Sequence, residues 1–235
     1  MNDHISQMLL FNKKRKAVSI KETIAMRESG ILMHITSLPA PYGIGTMGKD
    51  AYAFVDFLVR AGQRYWQILP LTPTGYGDSP YQSLGACAGN HYLIDLDTLV
   101  DEGLLKKEEI QDISWGNNPK RVDFGAMYAH RMAVLRLAFQ RFTPDKAYET
   151  FVEQNRSWLE DYALFMALKG TLGGKPWLDW PEALRLRKAD ALAEKRRELS
   201  EEIRLQFFAQ YEFDKQWKAL RSYANAKGVR IIGDV

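Results

Sequence analysis

Residues 31–35 of this chain read Ile-Leu-Met-His-Ile, and residues 65–71 read Tyr-Trp-Gln-Ile-Leu-Pro-Leu. Both are short apolar runs close to turn formers, which is typical of strands buried on both faces of a parallel sheet. Between them, apolar residues recur at spacings of three and four and are followed by Gly62: Ala51, Phe54, Val55, Leu58 and Ala61. This spacing predicts an amphipathic helix that ends at the glycine. The stretch is therefore predicted to form a βαβ unit.

A βαβ unit alone does not fix the architecture, because it builds both open doubly wound sheets and eight-stranded barrels. The first strand is not followed by Gly-Lys-Ser/Thr, which disfavours a P-loop nucleotide-binding version of the fold. A third strand is predicted where Val229, Ile231 and Ile232 precede Gly233 and Asp234. The fold class is therefore α/β.

The segment between the second and third strands is predicted to be mainly helical, from about residue 98 to residue 227. Within it, residues 182–210 alternate charge signs, which indicates one long solvated helix supported by weak ion pairs along its surface. The tryptophans of this segment are expected to be core residues rather than ligand contacts.

Composition narrows the choice of partners. The 235 residues are 46% hydrophobic, and 32 basic and 29 acidic residues are interspersed to a net charge of +3. No nucleic-acid or membrane partner is expected from so even a charge distribution.

No run reaches the roughly 18 apolar residues of a membrane span, and Cys87 is the only cysteine, so a reducing cytoplasm is expected. In residues 1–25 the basic cluster follows the apolar one, the reverse of a signal peptide, so this segment is predicted to be a basic extension.

Several kinds of chemistry are disfavoured by the residue pattern. The four histidines are scattered without ligand spacing, so no metal site is expected. The chain has no Gly-x-Ser-x-Gly elbow of a serine hydrolase. Cys87 lies between two alanines and is predicted to be a small packed residue rather than a nucleophile.

Polar and aromatic residues follow the predicted strands, where the substrate face of a parallel α/β fold lies. They comprise the turn at residues 36–45, the loop at residues 72–90 and Asp234 at the end of the third strand. The loop and the strand end supply the substrate-binding candidates, which are Tyr76, Asp78, Ser79, Tyr81 and Asp234. Tyrosine faces with carboxylates and hydroxyls on tight turns suit a sugar ring.

Each candidate also has a structural alternative. The tyrosines could anchor the loop, and Asp78 could form an Asx turn beside Ser79. Asp234 could form a salt bridge with a basic side chain or cap the secondary-structure element that follows it. Among the five, Asp234 has the strongest case, because a carboxylate that ends an apolar strand does not serve packing.

The most distinctive stretch of the sequence is Gly75-Tyr76-Gly77-Asp78-Ser79-Pro80-Tyr81-Gln82-Ser83. Four further stretches belong with it: Thr36-Ser37-Leu38-Pro39, Trp66 to Leu71, Phe208 to Trp217 and Gly233-Asp234. In these stretches the chain resembles the amylomaltase, or 4-α-glucanotransferase, family, and the resemblance runs from about Arg27 to Val235. The segment Leu84-Gly85-Ala86-Cys87 departs from the family pattern, and residues 1–25 have no counterpart in it.

This resemblance implies the N-terminal part of a (β/α)8 TIM-like barrel with a mainly helical insertion between strands two and three. Residues 26–97 would supply the first barrel units and the substrate loop, 98–227 the insertion, and 228–235 the third strand. The implied reaction transfers α-1,4-glucan segments between maltooligosaccharides, with glucose as an acceptor, and needs no cofactor. Tyr81 and Asp234 would contact the glucose at the cleavage subsite, and Tyr76 would lie in a groove that holds a second stretch of glucan.

The family uses a retaining mechanism, with an aspartate nucleophile, a glutamate acid/base and an assisting aspartate. All three match positions beyond Val235, so this chain by itself is expected not to turn over. Two other functions remain open, a non-catalytic carbohydrate-binding module and an α-amylase-like hydrolase. Coding DNA that continues past Val235 would favour the transferase, and a stop codon there would favour the binding module.

Overall fold

The computed structural model describes residues 27–75, 77–118 and 120–234 as a mostly helical α/β structure with a small parallel sheet. The predicted basic extension at residues 1–25 lies outside the described residues. The strands are β1 (Gly30–Leu32), β2 (Tyr65–Gln67) and β3 (Arg230–Ile232). The α-helices are α1 (Lys49–Arg60), α2 (Leu96–Asp101), α3 (Phe124–Arg141), α4 (Lys146–Thr171), α5 (Glu182–Arg185), α6 (Ala189–Glu198) and α7 (Ser200–Ala226). Short 3-10 helices occur at Ile35–Ser37, His91–Leu93, Lys107–Glu109 and Trp177–Asp179.

The three strands form one parallel sheet in the order β1-β2-β3, with Ile31, Trp66 and Ile231 side by side. The predicted βαβ unit and the predicted third strand are thus confirmed. Each strand is shorter than its apolar run, because the chain turns away after three residues and enters the 3-10 helix at Ile35 after β1. The parallel arrangement places the carboxyl ends of all three strands at the same edge of the sheet.

Trp66 is the central packing residue of the sheet. Its side chain is fully buried, its indole N–H donates to the Met33 carbonyl at 2.7 Å, and its ring meets Phe54 of α1 edge-on at 5.1 Å. Gly62, predicted to end α1, has φ +69°, a left-handed conformation that glycine adopts without a steric penalty. The helix therefore ends where the sequence pattern places its end.

Helix α7 is the long element around which the rest is assembled. It packs against α1, α3, α4 and α6 and leads directly into β3. Phe208 and Leu220 of α7 belong to the same hydrophobic core as Trp66 and Leu93. The helix therefore ties the segment between β2 and β3 to the sheet.

The prediction of one long helix over residues 182–210 is wrong. The chain forms α5 and α6 and the beginning of α7, with a break at Arg187, whose φ is +55°. The breaks let Leu184, Leu192 and Leu199 pack with Trp180 in a second core cluster, together with residues of α4. A straight helix would leave part of this apolar surface in water.

Within residues 27–75, 77–118 and 120–234, no helix is both long enough and apolar enough to cross a bilayer.

Glu212 is a carboxylate buried on α7. Its side chain is fully buried, and the Lys215 ammonium lies 2.8 Å from Oε1. Burial raises the pKa of Glu212 to about 7, against the opposing effect of Lys215. The folded protein therefore holds a proton that the unfolded chain releases above pH 4.5. This group stabilises the fold fully below that pH, and its contribution is lost as the pH rises towards 7.

We expect Glu212→Gln to gain stability relative to the parent when the pH is raised from 5 to 8. The difference in the free energy of unfolding between variant and parent should change by about 2–3 kcal/mol between these two pH values. The amide keeps the side-chain shape and carries no charge at either pH. Urea unfolding at both pH values measures the effect, and Glu201→Gln, an exposed change on the same helix, is the control. A parent–variant difference that does not change with pH would contradict a raised pKa at Glu212.

Comparison with the variant is necessary because buried histidines titrate in the opposite sense. Burial lowers the pKa of His91 to about 4 and that of His34 also to about 4. Their unfolded forms take up protons first on acidification, so they make the fold more stable as the pH rises from 4 to 6.5. The pH profile of the parent protein alone would therefore mix two opposing trends.

Candidate functional site

The loop between β2 and the 3-10 helix at His91–Leu93, residues 72–89, is closed at its base. The Asn90 N–H donates to the Leu71 carbonyl at 2.7 Å, which brings the two ends of the loop together. Gln210 of α7 accepts from the Gly89 N–H at 2.7 Å and donates to its carbonyl at 2.9 Å. A Cβ at Gly89 would lie 2.1 Å from the Phe213 ring, so only glycine fits there without displacement. The loop therefore rises from a fixed base on α7.

The tip of this loop is a hairpin. Thr74 and Ser83 form an antiparallel bridge, and the Gly75 N–H donates to the Gln82 carbonyl at 2.8 Å. The Ser79 hydroxyl oxygen accepts from the Tyr81 N–H at 3.3 Å. Ser79 is thus seen as a residue that shapes the turn beside Tyr81.

Tyr81 and Asp234 meet at the edge of the sheet, although 153 positions separate them along the chain. The Tyr81 hydroxyl donates to Oδ2 of Asp234 at 2.8 Å. This hydrogen bond to the carboxylate, with a smaller effect of burial, raises the pKa of Tyr81. The Tyr81 side chain is 60% exposed, so its ring remains accessible to a ligand. The structure therefore brings together the two candidates that the sequence places on separate elements.

Asp78 makes a contact that the sequence did not predict. Its carboxylate accepts a hydrogen bond from the hydroxyl of Tyr128 on α3, and its backbone has φ +58°, which is uncommon outside glycine. Tyr128 is 54% exposed, and burial together with the Asp78 contact raises its pKa to about 12. Nothing in the apolar spacing of α3 distinguishes Tyr128 in advance. Tyr76, the remaining candidate of the loop, lies outside the described residues.

The turn that follows β1 was expected at the same rim. Residues 36–45 instead line a cleft of about 930 Å³ together with residues between 107 and 124, and neither Tyr81 nor Asp234 lines it. Within the described ranges, no three side chains of the His, Cys, Asp or Glu type gather as a metal ion would require. The candidate site is thus made of tyrosine and aspartate side chains.

The prediction that Cys87 is a packed residue is wrong. Cys87 is exposed, while the neighbouring Ala88 is 3% exposed and takes the buried position. Cys87 lines a cavity of about 300 Å³ between the loop and helices α4 and α7.

The sequence profile described as 4-alpha-glucanotransferase matches residues 33–235. The 4-alpha-glucanotransferase of Thermus thermophilus is 50% identical over 215 residues, which are 89% of this chain and 42% of the relative. That of Clostridium butyricum is 47% identical over 205 residues, which are 86% of this chain and 42% of the relative. The chain thus spans less than half the length of these relatives.

Among solved structures, the amylomaltase from Streptococcus agalactiae in complex with acarbose superposes with a TM-score of 0.86 at 48% identity. The match covers 89% of this chain and 43% of that protein. The sequence profile match at residues 33–235 includes the loop with Tyr81 and the strand end with Asp234. The chain belongs to the 4-alpha-glucanotransferase family.

Proposed function

We propose that this chain carries part of the donor-binding site of a 4-α-glucanotransferase. The observation that supports the proposal is the hydrogen bond from the Tyr81 hydroxyl to Asp234, 2.8 Å long, at the edge of the sheet where its parallel strands end. An exposed tyrosine ring can cover the C–H face of a pyranose, while a carboxylate beside it accepts hydrogen bonds from the sugar hydroxyls. Because each side chain holds the other, little ordering remains to be done on binding.

In this proposal Asp78 and Ser79 help to bind the substrate by shaping the loop that presents Tyr81. Tyr76 is assigned to a second stretch of glucan on the basis of the family resemblance alone. The three strands would be the first of a (β/α)8 barrel, with residues 98–227 as a helical insertion, 26–97 before it and 228–235 after it. The parallel order β1-β2-β3 supports such a barrel, in which each strand adds to the next.

The proposed reaction is transfer of an α-1,4-glucan segment from a maltooligosaccharide to another sugar, glucose included, by a retaining double displacement without a cofactor. Acarbose in the structure of the Streptococcus agalactiae relative supports a ligand built from sugar-like rings. The nucleophile and the acid/base would come from positions beyond Val235. Tyr81 and Asp234 would bind and orient the sugar, and binding contacts alone do not supply the covalent and proton-transfer steps. We propose the cytoplasm as the location.

The products formed from maltotriose distinguish the proposed transferase from a hydrolase and from a carbohydrate-binding module. The 235-residue chain and the product of the longest reading frame containing it are each incubated with maltotriose, and the products are separated by chromatography. We expect glucose and a ladder of longer maltodextrins from the longer product and no turnover by the chain alone. Maltose and glucose without longer products would indicate a hydrolase, and binding without any turnover by either protein would indicate a carbohydrate-binding module.

A further inference from the structure

A second cavity, open to solvent, lies at the base of the loop that carries Tyr81. Its volume is about 300 Å³, and it is lined by loop residues 86–89 on one side and by helices α4 and α7 on the other. Neither Tyr81 nor Asp234 lines it. This volume is at the lower end of the range for small-molecule pockets, so it suits a single ring rather than a chain of sugars.

The walls of this cavity are aromatic on several sides. Phe151 and Trp158 come from α4, and Phe213 and Trp217 come from α7. Such rings offer flat apolar faces to a ligand that is itself a ring with C–H groups on its faces.

These walls are held in place by polar contacts within the protein. The Asn155 amide donates to the Phe151 carbonyl at 2.8 Å and accepts from the Trp158 indole N–H at 3.0 Å. On the opposite wall, Gln210 holds the Gly89 backbone through two hydrogen bonds. The cavity is therefore preformed, which reduces the entropy lost on binding.

The carboxylate of Asp214 supplies a polar group in the lining. Its Oδ2 lies 2.7 Å from the Lys218 ammonium. A charged carboxylate is a strong acceptor for the hydroxyl groups of a sugar, and it makes a purely hydrocarbon ligand unfavourable. Aromatic faces together with a carboxylate in a space for one ring match the chemistry of a hexopyranose.

We infer that this cavity, which we call the rear cavity, binds one hexopyranose such as glucose. The choice of sugar rests on the proposed function, since glucose is both an acceptor and a product of that reaction. Glucose has about twelve non-hydrogen atoms, for which ligand efficiency gives a dissociation constant of roughly 1–10 mM.

The single thiol of the chain gives a direct probe of the rear cavity. Cys87 is the only cysteine in the sequence, is exposed and lines the cavity. The experiment follows the rate at which 5,5′-dithiobis(2-nitrobenzoate) modifies Cys87 in the folded 235-residue chain as glucose is added. We expect a saturable, several-fold slowing with a midpoint in the millimolar range, and no comparable slowing with the open-chain polyol sorbitol.

Three variants separate this site from its surroundings. Asp214→Asn is expected to shift the midpoint to higher glucose by about tenfold, the loss typical of a charged hydrogen bond. Asp190→Asn, an exposed change on α6, should leave the midpoint unchanged. Tyr81→Ala should also leave the glucose midpoint unchanged. Glucose would therefore protect Cys87 even if Tyr81 proved not to belong to a transferase site.

A thiol reaction rate that glucose does not change, or that sorbitol slows equally, would overturn the inference. Protection that disappears in Tyr81→Ala but persists in Asp214→Asn would also overturn it, because the sugar would then bind at Tyr81. Equilibrium dialysis of the unmodified chain against labelled glucose repeats the test without any substitution. Binding weaker than 100 mM in that measurement would count against the rear cavity as a sugar site.

Discussion

Under the proposed function, alanine in place of Tyr81 is expected to lower kcat/KM for glucan transfer from maltotriose by about ten- to a thousandfold in the longer reading-frame product. The substitution removes both the exposed ring and the hydroxyl that donates to Asp234. A sugar that no longer rests on the ring loses its alignment with the attacking group, and small displacements of a bound substrate have large effects on rate. Initial rates of glucose release over a range of maltotriose concentrations measure the effect.

Tyr81→Phe divides this loss into two parts. Phenylalanine keeps the ring and removes the hydrogen bond to Asp234, so we expect a loss of about tenfold, close to that of Asp234→Asn. Trp177→Ala removes another exposed aromatic ring, one that is 47% exposed on the surface, and should leave the kinetics unchanged. Transfer by Tyr81→Ala at the rate of the parent enzyme would remove Tyr81 from the site.

Trp66→Ala is expected to destabilise the fold by about 3–5 kcal/mol, the range for a fully buried aromatic residue replaced by alanine. Trp66 lies on the central strand, fills the space against Phe54 and satisfies the Met33 carbonyl. The substitution removes the burial of the indole, leaves a cavity and deprives a carbonyl of its donor. Urea unfolding followed by circular dichroism measures the change in the free energy of unfolding.

The same Trp177→Ala variant is the matched control for this stability measurement. Its indole is partly in water, so its removal should change the free energy of unfolding by less than about 1 kcal/mol. A similarly small change for Trp66→Ala would mean that the sheet does not depend on packing against its central strand.

The sheet and α1 could be predicted because their patterns are local. The apolar runs at residues 31–35 and 65–71 and the glycine at position 62 each specify one element with little help from distant contacts. The exact strand ends could not be predicted, because Met33 and Ile35 are as apolar as the residues before them. Their turn into a 3-10 helix depends on the packing of Ile35, which is fully buried in the core.

The helical breaks near Arg187 and Leu199 had no local signal, because neither a proline nor a glycine occurs at these positions. They follow from the burial of Leu192 and Leu199 against α4, which is a tertiary effect. The same reason accounts for the unexpected exposure of Cys87, since whether Cys87 or Ala88 enters the core depends on where α7 lies.

The candidate site was predictable in part. Tyr81 and Asp234 follow different strands, and the rule that parallel strands end at one edge suffices to bring them together. Tyr128 was not predictable, because its contact with Asp78 depends on the position of α3 over the loop. The role of Gln210 was also hidden, since a glutamine on a helix gives no indication of the backbone that it holds.

Gln210 and Gln216 of α7 each bind the backbone of an extended segment with both ends of the amide, at Gly89 and at Asp95. A primary amide presents an N–H donor beside a carbonyl acceptor, as the peptide units of an adjacent strand do. The helix thus imitates a neighbouring strand at two points, Gly89 and Asp95. Glutamate, which has the same length but no N–H, would face a carbonyl oxygen at both points, so the isosteric acid is not an equivalent replacement here.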